Sequence, residues 1–132
     1  MIQRIQTLYL TISALVCLFS FYLFPLELKN ENMFGIDYRF IFQRYSFVLI
    51  SFLNLICIML YKNRYIQLYL NRFSILLISL LIISFFVFNI DSLDINHYLI
   101  LLSAIFNIIL IIFANKSILK DKKLIDSINR LR

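Results

Sequence analysis

The stretch FSILLISLLIISFFVFNI, residues 73–90, decides how the chain is read. Fourteen of its residues are Leu, Ile, Phe or Val, and its polar members are Ser74, Ser79, Ser84 and Asn89. At roughly −0.3 to −0.6 kcal/mol for each such apolar residue, insertion into a bilayer is favourable by several kcal/mol. A hydrocarbon layer of about 30 Å is crossed by roughly 20 helical residues, and without water to satisfy its backbone amides the run must be a helix. Three more stretches, 5–26, 45–61 and 95–115, are equally free of Asp, Glu, Lys and Arg. The four predict an all-α membrane protein, an antiparallel four-helix transmembrane bundle. It is expected to occupy 1–132 as a single domain, with residues 116–132 as a cytoplasmic amphipathic tail helix.

Composition points the same way. The 132 residues are 62% hydrophobic and 15% charged, whereas an ordinary soluble domain carries about 25% charge. That composition argues against a water-soluble domain and against disorder. Much of the Ile, Phe, Asn and Tyr content matches a bias toward A/T-rich codons, so the placement of charge is the more informative layer. The first run is expected to be retained: it is long for a signal peptide, and Phe24, Pro25 and Leu26 provide no small-residue cleavage site. Val16 also precedes Cys17, where a lipoprotein site would want a small residue.

Charge placement sets an orientation. Arg4, then Lys62, Arg64 and Arg72, then Lys116, Lys120, Lys122, Lys123, Arg130 and Arg132 fall on one side of the four runs. Lys29, Arg39 and Arg44 fall on the other, among Glu27, Glu31 and Asp37. Ten basic residues against three, all close to span ends, place the first side in the cytoplasm by the positive-inside rule, in the manner of a bacterial inner-membrane protein. The same asymmetry accounts for most of the net charge of +6. Attraction to anionic headgroups follows from it, while no nucleic-acid reading module accompanies the charge.

Within the spans, polar and small residues form stripes: Gln6, Ser13, Cys17 and Ser20 in the first, Ser51 and Asn54 in the second, Ser103 and Asn107 in the fourth. Spacings of three, four or seven put each set on one helix face, where interhelical packing and hydrogen bonds are the expected role. Ser13, Cys17, Asn54 and Asn107 are the candidate packing residues, with Asn54 and Asn107 near the midplane and expected to meet. Cys17 and Cys57 sit at different depths and are expected to be free thiols. No ionisable group lies in the middle of a span, which argues against coupled transport. Asp91, Asp94 and His97 form a D-x-x-D-x-x-H pattern at the outer end of the fourth span. Helix-terminus groups are the simpler reading of it, and a metal or enzyme site the sharper one. In the first outer loop, Tyr38, Phe40 and Phe42 alternate with Arg39 and Gln43. This suggests either a small β-hairpin, with Gly35 at its turn, or an interfacial aromatic belt. In the tail, Leu124, Ile125, Ile128 and Leu131 oppose Lys116, Lys120, Lys123 and Arg130 on a helical wheel.

The opening Met1-Ile2-Gln3-Arg4-Ile5-Gln6-Thr7-Leu8-Tyr9-Leu10, the loop Tyr61-Lys62-Asn63-Arg64 with Gln67, Leu68 and Arg72, and the tail from Ala114-Asn115-Lys116 through Lys120-Asp121, Ser127 and Arg130-Leu131-Arg132 carry a resemblance. Over its full length the chain resembles domain of unknown function 4293, a family of small bacterial proteins with four predicted spans. It departs at Lys122 and Lys123, where members usually carry acidic residues, and at Asn129, where an Asp often precedes the final Arg. The resemblance implies the four-span topology and transfers no activity, cofactor or catalytic residue.

The functional expectation is therefore non-catalytic and without cofactor: an accessory or scaffold protein with a basic cytoplasmic surface. Arg4, Lys62, Arg64, Arg72, Lys116, Lys120, Lys123 and Arg130 are the candidate contacts to membrane lipids or to a membrane or cytoplasmic protein partner. An oligomeric passive or holin-like pore, and an enzyme or cofactor subunit built on Asp91, Asp94 and His97, are the alternatives.

Overall fold

In the computed structural model, the described residues are 2–23, 38–61, 63–88 and 95–130. They form the helices α1 (Ile2–Leu23), α2 (Tyr38–Met59), α3 (Arg64–Phe88) and α4 (Ile95–Arg130), with no strand among them. The sequence holds one glycine and one proline, Gly35 and Pro25. Both fall between α1 and α2, so no backbone breaker interrupts a helix. Between α2 and α3 the chain reverses tightly: Leu60 N–H donates to Ile56 O at 3.0 Å, and Asn63 N–H donates to Leu60 O at 3.0 Å. Gln67 N–H then donates to Asn63 O at 3.2 Å, opening α3.

Buried positions repeat every three and four residues in all four helices. The series are Gln6, Leu10, Ser13, Cys17, Ser20 in α1; Gln43, Phe47, Ile50, Asn54, Cys57 in α2; Gln67, Asn71, Ser74, Ile78, Leu81, Phe85 in α3; and Ile100, Ala104, Asn107, Ile111, Ala114, Ile118, Asp121 in α4. A mean period of 3.5 residues keeps one seam of each helix facing its neighbours, as in left-handed bundles. The opposite faces are apolar and exposed, with Leu15, Phe19, Phe52, Leu80, Ile83, Leu102 and Ile105 among them. All four helices are long and apolar enough to cross a membrane, over Ile5–Leu23, Phe42–Met59, Arg64–Val87 and Tyr98–Ile125.

The order around the bundle is cyclic. α1 packs on α2 and α4, α3 packs on the same two, and the diagonal pairs make no close backbone approach. Side-chain pairs give the directions: Ser13 meets Asn54 while Phe21 meets Tyr45, Cys57 meets Asn71 while Gln43 meets Ser84, and Gln6 meets Asp121 while Ser20 meets Ser103. Rising numbers on one helix pair with falling numbers on the next, so neighbours run antiparallel. The apolar core holds Cys17, Phe47, Ile50, Ile78, Leu81, Phe85, Ile100, Ala104 and Ile111. Nearer the other end, Leu10, Cys57 and Ala114 form a second cluster.

Three boundaries differ from the sequence reading. The run Tyr38-Arg39-Phe40-Ile41-Phe42 is the first turn of α2 and not a strand. Its alternation is too short to outweigh the helical register that brings Gln43 and Phe47 inward, and an isolated strand pair beside lipid would leave open backbone edges. Gly35 and the rest of the proposed hairpin lie outside the described residues. Next, α3 begins at Arg64, so Arg64, Gln67 and Arg72 are helical rather than loop. The expected spans 45–61 and 73–90 are each entered earlier than charge alone suggested, because a helix end tolerates cations that reach the interface. Finally, α4 runs its 36 residues without a break, about 54 Å of helix against about 33–38 Å for the others. The stretch expected as a separate tail continues the fourth span, and its first turns still carry the buried seam at Ile118 and Asp121.

Ala114 has no exposed surface and sits where α4 meets Leu10 and Cys57. Ala114→Leu should therefore overpack the seam and lower stability by about 1–3 kcal/mol. Ile112→Leu, on the exposed face of the same turn, should change little. Unfolding in detergent micelles followed by circular dichroism separates the two.

Candidate functional site

The chemistry of this bundle lies in its seams, where polar side chains gather in three layers, with smaller polar pairs at the end where α4 begins. In the middle layer Ser13 is the hub. Its hydroxyl donates to Asn107 Oδ1, and its oxygen accepts from Asn54 Nδ2 at 2.7 Å. Asn107 Nδ2 reaches back to Ser13 O at 3.3 Å and to Cys17 Sγ. A serine hydroxyl has one proton, and here it goes to Asn107, so Asn54 must donate rather than accept. That choice leaves Asn54 Oδ1 buried without a hydrogen-bond partner. Asn54 and Asn107 are thus joined through Ser13 on the helix between them. The structure brings Ser13, Cys17, Asn54 and Asn107 together, tying α1, α2 and α4.

Toward the end where α4 extends, the layer passes through α3. Gln67 Nε2 donates to Cys57 O at 2.8 Å, the Cys57 thiol donates to Asn71 Oδ1 at 3.0 Å, and Asn71 Nδ2 donates to Asn115 Oδ1 at 2.8 Å. Beyond it, Gln6 Nε2 donates to Asp121 Oδ2 at 2.6 Å. Arg64 Nη2 stands 4.0 Å from the same oxygen. Asp121 is 5% exposed, so one carboxylate binds the start of α1, the start of α3 and the far part of α4. At the opposite end Ser20 and Ser103 share a hydrogen bond of 2.7 Å, and Arg44 lies over the Phe21 ring at 4.4 Å from its centroid.

Sequence reasoning missed Gln43, Gln67, Asn71, Asn115 and Asp121, all with side chains in the seams. Most lie outside, or at the edges of, the charge-free runs that defined the spans. The signal that would have found all of them but Asn115 is the 3.5-residue repeat, which continues from Ile50 back to Gln43, from Ser74 back to Gln67 and from Ala114 on to Asp121. Cys17 and Cys57 are free thiols, both buried. They are held in separate layers by Asn107 and Asn71.

The candidate basic contacts divide by position. Arg64 belongs to the buried network, whereas Arg72, Lys116, Lys120 and Lys123 are exposed. Lys122 places its ammonium 3.8 Å from the Tyr65 ring centroid, a cation–π contact at the α3–α4 boundary. Arg4 and Arg130 fall within the end turns of α1 and α4. Lys62, Asp91 and Asp94 lie outside the described residues, and His97 is on the first turn of α4. Among the described residues, no group of three His, Cys, Asp or Glu side chains could hold a metal ion.

Four membrane-capable helices with hydrogen-bonded polar seams define a multi-pass membrane protein. Its family follows from comparison: the model of the domain of unknown function DUF4293 matches residues 2–131, and the chain belongs to that family. No curated protein and no solved structure matches it.

Two sets of substitutions measure what the layers contribute. Ser13→Ala removes the hub and leaves Asn54 Nδ2 and Asn107 Oδ1 without it, a loss of about 1–3 kcal/mol. A double-mutant cycle of Ser13→Ala with Asn107→Leu should give a coupling of about 0.6–1.7 kcal/mol. For the Asp121 layer, Asp121→Ala should destabilise by about 1–3 kcal/mol. Asp121→Asn should cost less, since an amide oxygen still accepts from Gln6. Steric-trap or denaturant unfolding in bicelles reads both sets.

Proposed function

We propose that the chain is a non-catalytic accessory or scaffold protein of the bacterial inner membrane, with the start of α1 and the end of α4 in the cytoplasm. The observation that carries this reading is the overhang of α4. The helix leaves the bundle without a break, fastened at its base by Asp121 to Gln6 and Arg64. Past that point it presents Lys123 beside exposed Leu124 and Ile125. A rigid helix with basic and apolar groups on its surface is suited to docking another helix or a protein groove, since little ordering entropy is lost on binding. The excess of basic residues at this end supports its cytoplasmic placement and its attraction to anionic headgroups.

Reporter fusions should give cytoplasmic signals at both chain ends, and alkaline carbonate should leave the protein in the membrane. Deleting 124–132 spares the Asp121 layer and should abolish co-purification of its protein partner in mild detergent. A partner retained at the full-length level by this truncation would overturn the docking role.

A further inference from the structure

A groove of about 510 Å³ opens between α1 and α4 at the basic end, with Tyr9, Phe113, Lys116, Lys120 and Lys123 among its lining residues. Tyr9 and Phe113 form its apolar floor, their ring centroids 5.9 Å apart and their planes inclined by 30°. Lys116, Lys120 and Lys123 follow one another at intervals of four and three residues, within about 60° of arc on the helix. That arc lies opposite Ala114, Ile118 and Asp121, the residues α4 turns toward the bundle. The lysines are exposed and line the outer side of the groove, away from the bundle interior. Directly before them on the same face come Leu102, Ile105, Ile109, Ile112 and Phe113, all exposed and apolar. One unbroken helix thus changes from hydrocarbon-compatible to cationic within a single turn. Lys116 stands about 5 Å and Lys120 about 10 Å beyond Phe113 along the axis. A headgroup layer is about 5–8 Å thick, so Lys116 stands within it, while Lys120 and Lys123, about 10 and 15 Å out, reach back to it with long side chains that tilt toward the helix N-terminus.

We propose that this groove is a binding site for an anionic phospholipid. The headgroup phosphate sits among the Lys116, Lys120 and Lys123 ammonium groups, and an acyl chain lies along Tyr9, Phe113 and the apolar face of α4. Charge complementarity selects the occupant: among the described side chains the carboxylate of this end is Asp121, already engaged with Gln6 and Arg64 on the far side of the helix. A soluble anion would use the lysines and leave the aromatic floor and the apolar stripe idle. The proposal rests on the membrane-spanning reading of the chain and adds a preferred lipid and its site.

The test uses the full chain purified in mild detergent, offered phosphatidylglycerol or phosphatidylcholine with identical acyl chains, with bound lipid counted by native mass spectrometry. Each lysine near the surface is worth about a fivefold change in affinity, so phosphatidylglycerol should be retained at least about tenfold better. The variant K116Q/K120Q/K123Q should bring the two lipids to near parity, while K122Q, whose lysine lies over Tyr65, keeps the preference. Equal retention of both lipids by the unmodified chain overturns the proposal without reference to any variant. So does a triple variant that keeps the preference, or displacement of phosphatidylglycerol by equimolar glycerol phosphate, which would mark a soluble-anion site. A chain released by alkaline carbonate would instead fail the membrane reading itself. A chain that stays in the membrane but ignores headgroup charge fails this proposal alone.

Discussion

In hydrocarbon an apolar side chain gains little by leaving lipid for the interior of a protein, so the hydrophobic effect cannot choose which faces of four apolar helices meet. Hydrogen bonding and close packing choose them. Polar side chains inside this bundle must find partners in one another or in backbone carbonyls, and an unpaired polar group in a dry interior costs more than a bond is worth in water. Ser13, Asn54 and Asn107 meet for that reason. Small residues on the same seams, Ala14, Cys17, Ala104 and Ala114, let the backbones come close enough for short side chains to bond. The outward faces, rich in Leu, Ile and Phe, need no complement beyond lipid.

Each layer links a different set of helices, and together they close the ring. The middle layer joins α1, α2 and α4. The Cys57, Asn71 and Asn115 layer joins α2, α3 and α4, and the Asp121 layer joins α1, α3 and α4. Because α4 takes part in all three, its register is specified three times along its length. This explains why its first turns past Asn115 stay on the bundle. A helix with that many specified contacts carries its direction into its overhang, and the basic groups there hold a defined height above the hydrocarbon. The same geometry makes the lysine face and the aromatic floor one continuous surface.

Among the described residues, five buried polar atoms stand outside this satisfaction: Gln43 Oε1, Arg44 Nε, Asn54 Oδ1, Arg64 Nη1 and Gln67 Oε1. Arg44 and Gln43 fall at one end of the bundle, Arg64 and Gln67 at the other. Only Asn54 is near the middle of a span. Asn54 Oδ1 is left over because the single Ser13 proton is already committed to Asn107. One hydroxyl cannot donate to two amides.

Composition, uncharged runs and the distribution of Lys and Arg already specify four membrane-capable helices and no strand-forming core. They also mark one end of the bundle as the basic one. These are properties of segments, set by transfer free energies that each stretch carries wherever its neighbours lie. The polar stripes of α1, α2 and α4 were legible too, because a repeat of three and four residues is visible along one chain. That α3 begins at Arg64, and that Tyr38 to Phe42 wind into α2, follows from helix packing and not from the charge-free runs. Packing joined Asp121 to Gln6 across 115 positions of sequence, making the first turns of the expected tail part of the bundle. A charge count marks such residues as solvent-side wherever they occur. Whether a glutamine or an aspartate is instead held indoors depends on a partner that a distant helix supplies, and no local pattern encodes that meeting.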